Sequence, residues 1–427
     1  MATPLNTPYW WDDYPPERSE ASLPREADTV VVGGGLTGLN AAITLRRSGR
    51  DVVVLEAADF GFGASTRNAG HVSSGMNLGK GSSSAVRSPM ERNFPPNVLA
   101  DLRAEASASF SFLEKRIAEL PIDPLFARTG RFVAAVCPSH FAGLARKAEF
   151  VGGELVRRED QRNEIGSDQF HGGMVIPRSG QIHPARYLHG LVRLARDEGA
   201  TLVPNAKVVS IEKHNGRFHL LLPSGKSLTC RDVLIATNGY SEALVPWLRR
   251  RVIPAASYIV VTEPLKEGLL DTLLPKRRTY ADTRRLLSYF RPTPDGKRIL
   301  FGGRATLRVR DPSDVAQQLK RRLATIFPEL QDIGISHAWT GMIAFTFDFM
   351  PHLGQHSGIN YALGCNGSGV AMLSYLGHRA AQAMVGDELS PFWNLSFPTV
   401  PLYRENPWFL PLMSAYQQAR DWVDVST

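Results

Sequence analysis

Cysteine is scarce in this sequence, and long hydrophobic runs are missing. The three cysteines among 427 residues, Cys137, Cys230 and Cys365, lie far apart and form no C-x-x-C pair. This spacing argues against a disulfide framework or a structural zinc site and is compatible with a reducing compartment. No run of about 18 apolar residues occurs, and residues 1–29 lack a basic segment followed by an apolar one. We therefore expect a cytoplasmic protein with no transmembrane segment, signal peptide or bound metal.

A basic excess is present, but no nucleic-acid motif accompanies it. Lys and Arg total 49 against 41 Asp and Glu, for a net charge of +8, with basic clusters at 249–251, 276–278 and 320–322. Aromatic residues do not alternate with these clusters as they do in a stacking surface. We interpret the clusters as solvated surface that helps to steer an anionic substrate, and we expect no nucleic-acid partner. The length predicts two or three domains.

A glycine turn stands between a predicted strand and a predicted helix near the N-terminus. An apolar run at 30–32 leads into G-x-G-x-x-G at Gly33, Gly35 and Gly38, and a helical pattern follows. The next apolar strand ends in Glu56, about 20 residues after the second glycine, where an acid can bond ribose hydroxyls. Because the helix N-terminus favours phosphate, this segment predicts dinucleotide binding rather than a structural turn.

The chain after Glu56 favours FAD over NAD. No second copy of the fingerprint follows, and instead of further βα units the chain enters a Gly/Ser-rich loop that contains "GFGASTRNAG" at 61–70. Small residues allow backbone to approach an extended cofactor closely. Taken alone, the loop could also be a flexible surface segment; the fingerprint upstream favours the cofactor interpretation.

The fingerprint, Glu56 and "GFGASTRNAG" together resemble the D-amino-acid oxidase family of FAD-dependent amine and amino-acid oxidoreductases. That family includes glycine oxidase, sarcosine oxidase and γ-glutamylputrescine oxidase. The resemblance covers most of residues 27–390, strongly at the FAD-binding ends and weakly in the substrate sheet. It implies that the loop passes the pyrophosphate at Ser65 and Thr66 and the isoalloxazine at Arg67, Asn68 and Gly70.

The fold expected is α/β, with a Rossmann-like FAD-binding domain of the GR2 type interleaved with an α+β antiparallel-sheet substrate domain. In chain order, we expect an N-terminal arm at 1–26, FAD-binding segments at 27–95, 171–248 and 337–390, substrate segments at 96–170 and 249–336, and a C-terminal arm at 391–427. Both arms are rich in Pro and aromatic residues, and we expect them to dock on the body of the protein; the alternatives for the C-terminal arm are a dimer interface or a membrane surface.

A second glycine constellation lies near the C-terminus. Gly364, Gly367 and Gly369 separate the strand "INYALG" from the helix "GVAMLSYLGHRAAQAM" and aim another helix N-terminus at a negative group. The resemblance puts this turn at the flavin pyrimidine edge, after a T-x-D…P segment at 346–351. The residues expected to bind FAD are Gly33, Gly35, Leu36, Thr37, Gly38, Glu56, Ala57, Gly63, Ala64, Ser65, Thr66, Arg67, Asn68, Ala69, Gly70, Val208, Asn238, Gly239, Gly341, Gly364, Asn366, Gly367, Ser368, Gly369 and Val370.

Three predicted antiparallel strands, "SYIVVTEPL", "RRLLSYFRPT" and "KRILFGGRATLR", supply the candidate substrate contacts. The catalytic candidates are Arg67, Tyr258, Tyr289 and Arg304. Arg284 or Arg291 could join Arg304 in binding an acidic group on a larger amine. The alternative is that these Tyr and Arg side chains only solvate an outer face.

The resemblance implies hydride transfer from the Cα of a neutral amine to flavin N5 and hydrolysis of the resulting imine, and we expect the amine to be secondary. Relatives hold the substrate carboxylate with a Lys where Ala371 stands, and an oxygen-activating Lys and His stand where this chain has Leu300 and Arg304. Relatives with covalent flavin use a Cys where Gly341 stands or a His where Arg67 stands, so we expect non-covalent FAD. The sequence leaves the amine, the electron acceptor (oxygen or another) and the choice of monomer or homodimer open. The alternatives are oxidation of a 2-hydroxy acid or polyol phosphate, or a flavoprotein subunit or sensor.

Overall fold

The computed structural model describes residues 3–73, 75, 94–303, 310–401, 403–404 and 407–426. Two large sheets dominate this part of the chain, and a separate two-stranded sheet accompanies them. The first sheet is mostly parallel and carries the glycine turns, and the second is mostly antiparallel. This is the α/β cofactor part and α+β substrate part that the sequence predicts.

The first sheet, called the cofactor sheet below, has the strand order β17-β18-β11-β1-β2-β8, with β10 added to β11 and β9 to β10. Pairing is parallel for β1 with β11, β1 with β2, β2 with β8 and β11 with β18. Its strands, numbered in chain order through the whole molecule, are β1 (Glu26–Val32), β2 (Val52–Leu55), β8 (Thr201–Val203), β9 (Ser210–His214), β10 (Arg217–Leu221), β11 (Ser227–Ile235), β17 (His352–His356) and β18 (Ile359–Leu363).

The second sheet, called the substrate sheet below, has the order β16-β12-β15-β14-β13-β4-β6-β5. Its strands are β4 (Arg131–Ala134), β5 (Glu154–Val156), β6 (Gly173–Ile176), β12 (Val252–Thr262), β13 (Thr279–Asp282), β14 (Ser288–Pro292), β15 (Ile299–Gly303) and β16 (Ile335–Thr346). The two-stranded sheet consists of β3 (His71–Ser73) and β7 (Ser179–Gln181). In sequence, each of these strands falls where the chain passes from one large sheet to the other. The three strands predicted from the sequence are β12, β14 and β15.

The helices cover both large sheets. They are α1 (Leu36–Arg47), α2 (Ala64–Arg67), α3 (Pro96–Ala118), α4 (Pro138–Val151), α5 (Pro184–Asp197), α6 (Pro246–Arg249), α7 (Leu269–Leu273), α8 (Pro312–Ile326), α9 (Gly369–Met384) and α10 (Leu410–Ser426). In the cofactor part, α1 packs against α9 and α5, and α3 packs against α9. In the substrate part, α8 covers one face of β12, β15 and β16.

The local sequence explains the first βαβ unit. Residues 29–32 are buried on both faces, as a continuous apolar run in a parallel sheet requires. Gly38 lets α1 pack directly on the turn, since a Cβ there would lie 1.9 Å from the carbonyl oxygen of Gly33. The fingerprint glycine therefore allows the close approach of helix and turn that the dinucleotide motif needs.

The N-terminal arm is built into the protein. Leu5 pairs with β16 at His337, so the arm continues the substrate sheet by a short bridge. Trp10 is completely buried in a cluster with Ile259, Leu300 and Trp339. The docking predicted for this arm is thus observed.

The C-terminal arm docks through part of its aromatic segment. Leu410 is buried with Tyr403 and Phe409 packs there too, whereas Trp408 is exposed. Helix α10 then places Asp421 against the loop from β13 to β14, where its carboxylate accepts from the backbone N–H groups of Arg285 and Leu286 at 2.9 and 3.0 Å. The sequence did not predict this helix.

Two segment boundaries differ between the sequence prediction and the sheets. Strand β16 falls in the predicted third FAD-binding segment, yet it pairs along its length with β12 of the substrate sheet. Strand β6 falls in the predicted second FAD-binding segment and pairs with β4. The chain thus passes from the substrate part to the cofactor part later than the predicted boundaries at 171 and 337. Within the described residues, no helix combines the length and hydropathy needed to cross a membrane.

Candidate active site

A cavity of about 830 Å³ lies between the two large sheets. One end is lined by the first glycine turn and by Glu56 at the carboxyl end of β2. The other end is lined by β4, β13 and β14 of the substrate sheet, including Arg131 and Tyr289. A ligand in the first end therefore continues directly towards the substrate sheet.

The first end offers the features that a dinucleotide needs. Gly35, Leu36 and Thr37 line the cavity at the start of α1, where backbone N–H groups and the helix dipole favour phosphate. The Ser65 hydroxyl accepts from the N–H of Leu36 at 3.1 Å, so the two glycine-rich segments meet here. Phosphate-binding backbone and the downstream loop thus form one surface.

Glu56 stands at the carboxyl end of β2 and borders the cavity. Its carboxylate accepts from the backbone N–H groups of Gly34 at 2.8 Å and Ala58 at 3.1 Å. Burial raises the pKa of Glu56, although these backbone donors act in the opposite direction. The carboxylate is fixed where an acid of this fingerprint bonds ribose hydroxyls.

Three tryptophans hold residues 61–70, called the cofactor loop below. Each indole N–H donates a hydrogen bond of 2.9 Å to this loop. Trp10 donates to the Asn68 carbonyl, Trp11 to the Thr66 hydroxyl and Trp339 to the Arg67 carbonyl. Sequence reasoning missed these contacts. The run of aromatic residues at 9–11 was the available signal, but it does not reveal its partner.

Arg67 is anchored by protein groups. Its guanidinium donates to the Phe62 carbonyl at 2.7 Å and the Thr340 carbonyl at 3.3 Å, and it lies 4.6 Å from the Trp11 ring centre. Burial lowers the pKa of Arg67. These contacts indicate that Arg67 shapes the cofactor loop, while its side chain still borders the cavity.

The second glycine constellation borders the same cavity. Gly367, Ser368, Gly369 and Val370 line it at the start of α9. Thus both predicted strand–glycine–helix junctions meet at one cavity, as the resemblance implies. The other predicted FAD residues that line it are Gly33, Gly35, Leu36, Thr37, Glu56, Ala57, Gly63, Ala64, Ser65, Arg67, Asn68, Ala69, Val208, Asn238 and Gly341.

Six predicted FAD residues support the cavity from behind. Asn366 accepts from the Thr346 N–H at 3.0 Å, and the buried Thr66 hydroxyl donates to the Gly61 carbonyl. The Gly70 N–H donates to the Asn68 side chain at 2.9 Å. The residues that do not line the cavity are Gly38, Thr66, Gly70, Gly239, Gly364 and Asn366.

A row of cross-strand partners forms the substrate face. Val133, Ala281, Tyr289, Gly302 and Ile259 lie opposite one another on β4, β13, β14, β15 and β12. Gly302 makes room for the phenol, since a Cβ there would lie 2.2 Å from the Tyr289 ring. Because partners share a face, this row points to the cavity.

Tyr289 is the predicted catalytic residue that the structure brings to this face. Its hydroxyl lies 2.9 Å from the Ser257 hydroxyl, and its ring meets the His71 ring edge-on at 5.7 Å between centres. All three side chains line the cavity. Ser257 and His71 were missed because neither stands in a recognisable motif.

The prediction of a substrate contact at Tyr258 is not supported by its position. Tyr258 pairs with Gly303, next to the pair of Ile259 and Gly302 that belongs to the substrate face. The Tyr258 side chain is buried in the core beneath α8. Its hydroxyl accepts from the Arg310 N–H at 2.6 Å. In a strand the side-chain direction alternates, so Tyr258 and Tyr289 lie on opposite faces.

The predicted arginines have different positions. Arg304 lies outside the described residues. Arg291 is fully enclosed away from the cavity and donates to the Ile182 carbonyl at 2.9 Å, so it does not bind substrate here. Arg284 borders the cavity and is paired with the buried Asp282 at 2.8 Å.

Two further cations line the far end of the cavity, Arg131 on β4 and Lys147 on α4. Arg131 keeps some accessible surface because it borders the cavity, whereas burial away from bulk water lowers its pKa to about 10. The alternation in "GRFVAA" puts Arg131 and Val133 on one face, but pairing with β13 is needed to direct that face to the site.

Among the described residues, no group of three or more His, Cys, Asp or Glu side chains is arranged to hold a metal ion.

Comparison with known proteins gives consistent results. A family profile described as "FAD dependent oxidoreductase" (DAO) matches residues 28–383. The chain is 31% identical over 409 residues to a "Gamma-glutamylputrescine oxidoreductase" of Escherichia coli strain K12, covering 93% of each chain. It is 30% identical over 408 residues to a "Probable oxidoreductase OrdL" of Rhizobium meliloti strain 1021, covering 93% of this chain and 94% of the relative. The fold is similar to that of glycine oxidase from Geobacillus kaustophilus, with a TM-score of 0.70, 20% identity, and coverage of 90% of this chain and 99% of that one.

Proposed function

The chain belongs to the FAD dependent oxidoreductase family, and from this premise we propose that it oxidises an amine or amino acid at a C–N bond. The observation that carries the proposal is the continuity of the cavity from the dinucleotide-binding turn to the Tyr289 face of the substrate sheet. The amine chemistry is drawn from relatives such as the γ-glutamylputrescine oxidoreductase. We propose a secondary amine as the first class to examine.

The residues present fit FAD. The α1 turn and Glu56 would hold the pyrophosphate and a ribose, and the cofactor loop and the α9 turn would hold the ring. Residues of each of these segments line the cavity, as does Val208. Bound FAD would supply a two-electron acceptor for a hydride. The α9 N-terminus would stabilise negative charge on the reduced ring.

Non-covalent binding follows from the residue types at the positions where relatives attach flavin. Gly341 has no thiol to form the thioether, and Arg67 has no imidazole to form the histidyl link. Both line the cavity. We therefore propose that acid denaturation releases intact FAD into the supernatant.

The substrate face would orient the amine and exclude water. The Tyr289 and Ser257 hydroxyls can each accept or donate a hydrogen bond at the amine nitrogen. Ile259 and Leu287 provide apolar walls at the same face. Holding the C–H bond in one orientation and keeping bulk water out are the contributions that such a reaction needs from a protein. Arg67 would act by positioning the cofactor loop.

The test is anaerobic bleaching of the visible flavin band by a panel of primary amines, secondary amines, amino acids and 2-hydroxy acids. Bleaching by an amine or amino acid, with release of a carbonyl product, is the expected result. Bleaching only by hydroxy acids would replace the proposal with alcohol oxidation. Readmission of air then separates an oxidase, which recovers its colour quickly, from a dehydrogenase, which needs another acceptor. A protein whose flavin nothing in the panel reduces would contradict the proposal.

As an oxidoreductase of this family, the protein acts on a small-molecule substrate and passes electrons to an acceptor. Monomer or homodimer and a cytoplasmic location stay predictions. Size-exclusion chromatography with light scattering tests the first, and cell fractionation tests the second.

A further inference from the structure

Arg131 has an unusual position at the far end of the cavity. It begins β4, and its guanidinium borders the cavity together with Val133 and Ala281. In the sheet order, β4 is five strands away from β16, which meets the cofactor loop at Gly341. At about 4.8 Å per strand the two ends of this face lie about 24 Å apart. Arg131 is therefore remote from the cofactor end.

Among the described residues, no hydrogen bond or ion pair is made by the Arg131 side chain. Its buried Nε has no acceptor, and none of the ion pairs of the described chain includes it. The other arginine near this end, Arg284, is already paired with Asp282. Arg131 is partly buried and faces the cavity without a described protein partner, so it loses hydration without a compensating contact, and its position points to an anionic ligand.

The surroundings of Arg131 favour a ligand with an apolar stem and an anionic end. Val133 and Ala281 line the cavity on the strands that lead from Arg131 to Tyr289, and Leu144 of α4 and Leu287 beside β14 add apolar side chains to the lining. From the register, the Cα atoms of Arg131 and Tyr289 are about 12 Å apart, two strands across and two residues along. Lys147 adds a second positive side chain to the same end.

We propose that Arg131 binds a carboxylate of the substrate, at the end of the molecule away from the C–N bond that is oxidised. The planar guanidinium offers a bidentate fork to a carboxylate, and the excluded water strengthens the pair. The substrate class is then an amine that carries an apolar stem and a remote carboxylate. This inference rests on the proposed function for the amine, but the anion site itself does not require turnover.

The test measures binding of hexanoate to the FAD-loaded protein by calorimetry, with hexanamide as the uncharged control of the same length. We expect wild type to bind hexanoate at least tenfold more tightly than hexanamide. Arg131→Met should remove that preference and leave hexanamide binding unchanged. Arg131→Lys should keep part of the preference, because it retains the charge but not the fork. Melting temperature and the visible flavin spectrum check that both variants fold and hold FAD.

The outcomes separate this inference from the proposed function. An Arg131-dependent preference for hexanoate in a protein that no amine reduces would support the anion site and contradict amine oxidation. Amine-dependent bleaching with hexanoate binding unchanged by Arg131→Met would overturn the anion site alone. A wild-type protein that binds hexanoate no more tightly than hexanamide would also overturn it. With a reducible amine that bears a remote carboxylate, Arg131→Met should raise KM at least tenfold and leave kcat within about twofold.

Discussion

Trp11 links the N-terminal arm to the cofactor loop, and its removal should weaken FAD binding. The indole N–H donates to Thr66, and the ring lies 4.6 Å from the Arg67 guanidinium centre. Trp11→Phe keeps an aromatic ring and removes the donor, whereas Trp11→Leu removes both contacts. The pair of variants therefore separates the hydrogen bond from the cation–π contact.

The magnitudes follow from these two contacts. A net hydrogen bond contributes about 1 kcal/mol, which corresponds to about a fivefold rise in the FAD Kd for Trp11→Phe. A cation–π contact at a partly exposed site adds about 0.5–1 kcal/mol, so Trp11→Leu should raise Kd about 10- to 30-fold. These increases in Kd are upper bounds. They are reached in full only when the FAD-free protein leaves the loop conformation that binds FAD, so that the Trp11 contacts form on binding.

The assay is titration of FAD into the FAD-free protein, followed by the change in flavin fluorescence. Trp408→Phe is the matched control, because this tryptophan is 57% exposed on the C-terminal arm. It should leave Kd unchanged. If both Trp11 variants bind FAD as wild type does while their FAD-free melting temperature falls, the arm stabilises the fold without shaping the FAD site, and this reasoning is refuted.

Other predictions use different parts of the molecule. Tyr289→Phe should lower kcat/KM for a reducible amine about fivefold, because it removes one hydrogen bond at the cavity. Tyr258→Phe should lower thermal stability with little kinetic effect, because Tyr258 lies in the core. The reverse pattern in steady-state assays would contradict the assignment of the two tyrosines to opposite faces of the sheet. Arg131→Met should keep or raise the melting temperature, because it removes a partly buried cation without a described partner. A fall of several degrees by calorimetry would indicate a structural role. Burial lowers the pKa of His183 to about 3, with Arg186 and Arg291 acting in the same direction, so below about pH 6.5 the unfolded chain binds a proton that the folded chain does not. The free energy of unfolding should therefore fall as the pH drops from 6.5 towards 3, and His183 alone should account for a loss of about 2 kcal/mol at pH 5. His183→Asn keeps the acceptor that caps the helix, and in denaturant titrations it should reduce this loss.

The cofactor part of the fold was predictable because its signals are local. The turn at Gly33–Gly38, the acid at Glu56 and the α9 helix each occupy one continuous stretch in which residue type and spacing determine the geometry. The helix over residues 369–384 coincides with the predicted one. Backbone conformation and helix dipoles act over a few residues, so a sequence pattern suffices for them.

The substrate face was less predictable because it depends on pairing across the chain. Alternation along β12 places Tyr258 and Ser257 on opposite faces, but it does not say which face meets α8 and which meets the cavity. Arg131 reaches the site because β4 pairs with β13, about 150 residues later in the chain. Trp11 is similar, since its partner Thr66 lies in another segment. Long-range pairing and core packing decide these positions, and no local pattern encodes them.

The most direct test of the central claim is single-turnover mixing of the FAD-loaded protein with an amine from the panel, either protiated or deuterated at the carbon bonded to nitrogen. Our account predicts that deuteration slows bleaching of the flavin band several-fold and that one carbonyl product forms per flavin reduced. Bleaching at the same rate for both amines would mean that breakage of this C–H bond does not limit reduction. Bleaching without any carbonyl product would contradict amine oxidation in this cavity.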